Sequence, residues 1–76
     1  MALTTRRHRW ERGGPETRQR IMEVALRLFS QQGFHRTSIR RISREAGLTD
    51  AALYYHFASK REILEALYEE RGFIAA

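Results

Sequence analysis

The chain has 76 residues, a net charge of +5 and no cysteine, which limits it to one small domain and excludes a disulfide framework or a Cys-based zinc site. At this length folding buries only roughly 60% of the unfolded surface, so the expected stability is modest. No apolar run approaches the roughly 20 residues of a membrane span, and the N-terminus lacks the apolar segment of a signal peptide, so the expected setting is the cytoplasm.

Charge is unevenly distributed. Residues 1–61 hold 13 of the 14 Lys and Arg against five of the nine acids, a net +8, whereas residues 62–76 carry a net −3. A basic body with an acidic end suits a polyanion on one side. Residues 1–14 have few apolar side chains and carry Arg6, Arg7, Arg9 and Arg12 around Trp10. They read as a flexible basic arm, either lying along DNA phosphates or in a minor groove, or forming a tail with no site of its own.

Gly14-Pro15-Glu16 opens the first helix. Proline is favoured at the first helical position and an acid suits the positive end of the helix dipole. Ile21, Val24, Ala25, Leu28 and Phe29 recur at helical spacing as a core stripe, and Gly33 ends the helix with Phe34 able to pack back near Phe29. Thr37 is the expected N-cap of the second helix, whose N–H groups could also hold a phosphate. Ile39, Ile42 and Ala46 share its inner face, flanked by Arg40, Arg41 and Arg44. Gly47 terminates it and Leu48 folds back onto the apolar face.

Thr49 caps a third helix, Asp50 to His56, with Leu53 and then Phe57 inward. Two short helices around a tight Gly-containing turn make a helix-turn-helix, which sets its second helix into a DNA major groove. Ser59 and Glu62 form a capping box at the start of a fourth helix, striped by Ile63, Leu64, Leu67 and Tyr68. Lys60 lies in its first turn, where the dipole disfavours a cation, a placement that a DNA phosphate would explain. In residues 71–76, Phe73 and Ile74 have no further chain to pack against, which fits a truncated chain or a terminus docking on a partner.

The segment QRIMEVALRLFSQQGFHRTSIRRISREAGLTDAALYYHFASKREILEAL resembles the N-terminal DNA-binding domain of TetR-type transcriptional regulators. The resemblance rests on the ordered set Ala25, Phe29, Gly33, Phe34, Thr37, Ile42, Ala46, Gly47, Leu53, Tyr54, Phe57 and Lys60. It implies an all-α fold: a three-helix bundle with a homeodomain-like helix-turn-helix over residues 15–70, plus the start of a fourth helix. It also implies sequence-specific binding of double-stranded DNA by a transcriptional regulator, expected to be a repressor. Members of the family typically carry a larger helical domain that dimerises and binds a small-molecule effector. The effector pocket is not encoded here, and the expected partner is a palindromic operator held by a homodimer if that second domain is present.

Carried over by position, Asp50, Ala51 and Ala52 match the start of the recognition helix, where bases are read. The alanines allow close approach, and a methyl can meet a thymine methyl. Asp50 departs from the polar or basic residue common there; it either accepts from a cytosine amino group or only favours its own helix N-terminus. Tyr54, Tyr55 and His56 match an aromatic cluster, with Tyr55 and His56 able to reach phosphates and Tyr54 either a contact or structural. Arg40 matches a position at the groove edge, whereas Arg41 and Arg44 read as a solvated face. Ser43 stands where alanine is usual. The expected DNA-binding set is Thr37, Arg40, Thr49, Asp50, Ala51, Ala52, Tyr54, Tyr55, His56 and Lys60. No cofactor is expected. The rival class is a helical protein-interaction module; an enzyme is the least expected, since His8, His35 and His56 lack metal-ligand spacing.

Overall fold

A computed structural model describes residues 14–72 as four helices: α1 (Pro15–Gln32), α2 (Ile39–Glu45), α3 (Asp50–His56) and α4 (Lys60–Arg71). The expected arm and the apolar pair Phe73 and Ile74 lie outside the described residues. The all-α reading holds. Helix α1 packs against both α2 and α4, and α2 packs against α3.

Each boundary has a local cause. Gly14 offers no side chain, but its carbonyl accepts from the Thr17 and Arg18 N–H groups at 3.1 and 3.2 Å, with Pro15 at the first helical position. Gly33, at φ 95°, ends α1, and the Phe34 ring lies 5.2 Å from that of Phe29. The turn after α2 closes as expected: Gly47 takes φ 76°, and the Leu48 N–H reaches back to the Ser43 carbonyl at 2.8 Å. The Thr49 hydroxyl accepts from the Ala52 N–H at 3.0 Å and caps α3. At α4, Ser59 Oγ accepts from the Glu62 N–H at 3.2 Å, and the Glu62 carboxylate accepts from the Ala58 N–H at 3.1 Å. The box thus closes one residue further out than the usual pattern, in which the N-cap's own N–H is the donor.

The cap of α2 differs from the expectation. Ser38, not Thr37, caps this helix, its hydroxyl accepting from the Arg41 N–H at 3.0 Å. The reason is the preceding turn: the Thr37 N–H bonds to the Phe34 carbonyl at 3.2 Å, and the Thr37 side chain turns inward, donating to the Gly33 carbonyl at 2.8 Å. The helix therefore begins one residue later.

The core combines Ile21, Val24, Ala25, Leu28 and Phe29 of α1, Ile42 and Ala46, Leu53 and Phe57, and Ile63, Leu64 and Leu67 of α4. Met22, Thr17 and Ala66 are also buried, which widens the α1 and α4 faces beyond the expected stripes. Tyr68, expected in the α4 stripe, is 44% exposed; it lies one helical position beyond the arc that Ile63, Leu64 and Leu67 turn inward. Among the described residues, no helix is long and apolar enough to cross a membrane.

Candidate nucleic-acid interface

Helix α3 is held from within by Leu53, fully buried, and by Phe57, 3% exposed, just past its end. With that side fixed, Ala51, Tyr54 and Tyr55 face outward, and Asp50, Ala52 and His56 lie at the edges of that face. Ala51 is exposed and Ala52 half-buried; Tyr54 is 50% and Tyr55 77% exposed. Tyr54 is therefore not a core residue, although it directly follows one. His56 is half-buried, with its ring edge-on to Tyr55 at 5.3 Å. This surface offers two methyl groups, two phenol hydroxyls and an imidazole.

The cations divide into two groups. Arg41 bonds to Glu45 at 2.6 Å and Arg27 bonds to the same carboxylate at 2.7 Å. The two guanidinium groups hold the Glu45 carboxyl below its ordinary range by hydrogen bonding, Arg27 first and then Arg41, against a smaller opposing desolvation. Arg18 makes a two-pronged pair with Glu70, at 2.9 and 2.8 Å, joining α1 to α4. Its guanidinium carbon also sits 5.2 Å from the centre of the Phe57 ring. Arg71 reaches Gln19 at 2.7 Å and Glu23 at 3.6 Å. Arg20 donates to the Ala46 carbonyl at 3.1 Å. Arg36, Arg40, Arg44 and Arg61 are exposed and make no ion pair among the described residues. Arg40 and Arg44, four residues apart, share one side of α2. Arg41, expected as part of a solvated face with Arg44, is instead paired.

Two of the expected contact residues are engaged inside the domain. The Thr37 hydroxyl is buried, donating to Gly33 and accepting from Gln32 Nε2 at 3.3 Å. Lys60 Nζ donates to the Phe34 carbonyl at 2.6 Å and the Thr37 carbonyl at 2.9 Å, and lies 4.1 Å above the Phe34 ring. An ammonium so placed fastens the start of α4 to the turn between α1 and α2, and one of its three N–H donors is left. Its position in the first turn of α4 thus has an internal explanation that the sequence reading lacked. Asp50 also has a partner: its Oδ1 lies 2.5 Å from the Oγ of buried Ser43.

The profile described as "Bacterial regulatory proteins, tetR family" matches residues 21–67. The chain belongs to the tetR family of bacterial regulatory proteins. It is 50% identical over 54 residues to the HTH-type transcriptional regulator AcrR of Shigella flexneri, covering 71% of this chain and 25% of that protein. To the HTH-type transcriptional regulator SrpR of Pseudomonas putida it is 45% identical over 56 residues, 74% of this chain and 26% of the relative. To the HTH-type transcriptional regulator TtgR, also of Pseudomonas putida, it is 43% identical over 54 residues, again 71% and 26%. The chain thus spans about a quarter of the length of these relatives. No solved structure matches it. The four helices carry the helix-turn-helix domain of this family.

Proposed function

We propose that α3 enters the major groove of double-stranded DNA while α2 lies across the adjoining backbone. The observation that carries this reading is the sorting of charge. Intramolecular acids neutralise Arg18, Arg27, Arg41 and Arg71, while Arg40 and Arg44, on the helix packed against α3, have no acid partner among the described residues. Ala51 and Ala52 allow the helix close to base edges, and Tyr54, Tyr55, His56 and Thr49 flank it toward phosphates. Thr37 and Lys60 contribute from inside, by setting the turn from which α2 starts. Each phosphate neutralised by an Arg or Lys adds about −0.9 to the slope of log K against log salt, so Arg40 and Arg44 alone give a slope of about −2, steeper with any further cation. Fluorescence anisotropy with a labelled duplex at several salt concentrations tests this; a binding constant indifferent to salt refutes it.

The larger protein, on this reading, is a cytoplasmic homodimeric repressor. It places two copies of α3 on the half-sites of a palindromic operator and is released by a small-molecule effector held in a second domain. One copy has few base-reading side chains, so the two-fold arrangement would supply the specificity. Selection of duplexes from a randomised library by the longer protein tests this, with inverted half-sites expected and a single asymmetric site refuting it.

A further inference from the structure

Asp50 opens the recognition helix, and on an α3 placed in the groove it would set a carboxylate among phosphates. Its side chain is not simply presented there. Oδ1 lies 2.5 Å from Ser43 Oγ. Ser43 is 1% exposed and sits in α2, seven residues back across the turn. The same Oγ is 2.8 Å from the Ile39 carbonyl. The hydroxyl carries one proton for these two acceptors, and the shorter contact is to the carboxylate, the stronger acceptor. The turn is otherwise held by backbone bonds from Gly47 and Leu48 to the end of α2 and by the Thr49 cap. Those bonds end each helix separately. The Ser43–Asp50 bond is a direct side-chain link between the two helices of the motif.

The geometry points to Asp50 as a positioning residue for DNA recognition: clipped by the Ser43 hydroxyl, it fixes the angle at which α3 leaves the turn and does not itself read a base. Alanine at position 43 would be equally small but would leave no clip. The inference rests on the DNA-binding reading above, so its test has one arm that does not use DNA.

The variants are Ser43→Ala, Asp50→Ala, the double variant and Asp50→Asn, all in the 76-residue chain, with helical content checked by circular dichroism. In duplex binding by anisotropy, each alanine variant is expected to weaken affinity about five- to tenfold, less than the full worth of a charge-assisted hydrogen bond, because the bond lies within the protein and only its effect on the angle of α3 reaches the DNA. The double variant should lose no more than either single one. Asp50→Asn, whose amide oxygen still accepts from Ser43, should stay within about twofold of the unaltered chain. Additive losses would overturn the proposal, because a carboxylate that met a base directly would matter equally with or without Ser43. Asp50→Asn as damaging as Asp50→Ala would overturn it too. The second arm is amide hydrogen exchange at Leu53 and Tyr54 in the free protein. There the two alanine variants should speed exchange to the same degree and non-additively, and unchanged exchange refutes the clip. If the unaltered chain bound no duplex, the DNA-binding reading would fail, and the exchange arm would still decide the clip.

Discussion

Lys60→Met removes an ammonium while keeping most of its apolar stem. The ammonium donates to two carbonyls of the α1–α2 turn, at 2.6 and 2.9 Å, and lies 4.1 Å over the Phe34 ring. A hydrogen bond from a charged donor contributes about 1.5–3 kcal/mol, and a partly exposed cation–π contact about 0.5–1 kcal/mol. Lys60 is half-buried and the three contacts share one group, so they do not add, and the expected loss is about 2–3 kcal/mol. A chain this short holds only about 4–11 kcal/mol in total. The thermal midpoint should therefore fall by about 10–20 °C. Lys60→Glu, which places a carboxylate against two carbonyl oxygens, should fall further still. Circular dichroism melts at about 222 nm check both. A midpoint for Lys60→Met within about 2 °C of the unaltered chain would show that these contacts contribute nothing, and would return Lys60 to the role of a surface cation for phosphate. The outcome also decides how DNA-binding data on this residue are read: a loss of affinity in Lys60→Glu reports on the bound surface only at temperatures where the variant stays folded.

Arg40→Ala should weaken duplex binding by several-fold and make the salt slope shallower by about 1 with no change in melting, whereas Arg41→Ala, which loses its bond to Glu45, should leave the slope unchanged; anisotropy across salt distinguishes them. Gly47 sits at φ 76° with nothing within 4 Å of where a Cβ would stand, so Gly47→Ala should cost about 1–2 kcal/mol through backbone strain alone, read as a lower denaturation midpoint in urea. The Glu70 carboxyl is held below its ordinary range chiefly by the hydrogen bond from Arg18. For a depressed carboxylate, the unfolded chain binds the proton more readily, so the stabilisation is complete above the ordinary carboxylate range and is lost as pH falls through the lowered value. Urea midpoints should therefore hold steady from neutral pH down to the carboxylate range and then drop, and Glu70→Gln should flatten that drop; identical acid profiles would refute it.

The sequence made most of the fold legible because its signals are local. Proline then glycine around α1, the glycine after α2, and Thr49 and Ser59 before the next two helices each act within one turn of chain, and both ends of α1, the end of α2 and the starts of α3 and α4 lie at or beside them. The misplaced cap of α2 shows where local reasoning stops. Thr37 and Ser38 are both competent caps, and only the bond from the Thr37 N–H to Phe34 decides between them. Tyr54 poses the same difficulty at the surface, since exposure depends on how far Leu53 and Phe57 rotate α3 inward. For the site, residue type and helical position were enough to find the outward face of α3, and Glu45, four residues on from Arg41 in the same helix, was open to the same reasoning, but the partners of Lys60 and Asp50 were hidden. Lys60 is 26 residues from Phe34, and a contact across that separation leaves no periodic trace in the chain.

This division between local and long-range signals bears on how the domain handles its excess charge. Ten Lys and Arg fall within residues 14–72, and a basic surface of that kind would bind any polyanion if all of it were free. The structure instead uses its acids selectively: Glu45 holds two arginines and Glu70 a third, on α1 and on the side of α2 that faces α1. Arg40 and Arg44 are left one helical turn apart on the other side of α2, and Arg36 and Arg61, outside α2, are likewise exposed without an ion pair among the described residues. Net charge sets the long-range attraction to DNA, but the internal pairs decide which cations can exchange counterions for phosphates. Removing Glu45 should therefore release Arg27 and Arg41 and raise non-specific affinity. Glu45→Gln is expected to bind unrelated duplexes more tightly and with a steeper salt slope, while its preference among sequences narrows. A Glu45→Gln chain with unaltered affinity for unrelated DNA would show that the paired arginines lie too far from the backbone to reach it.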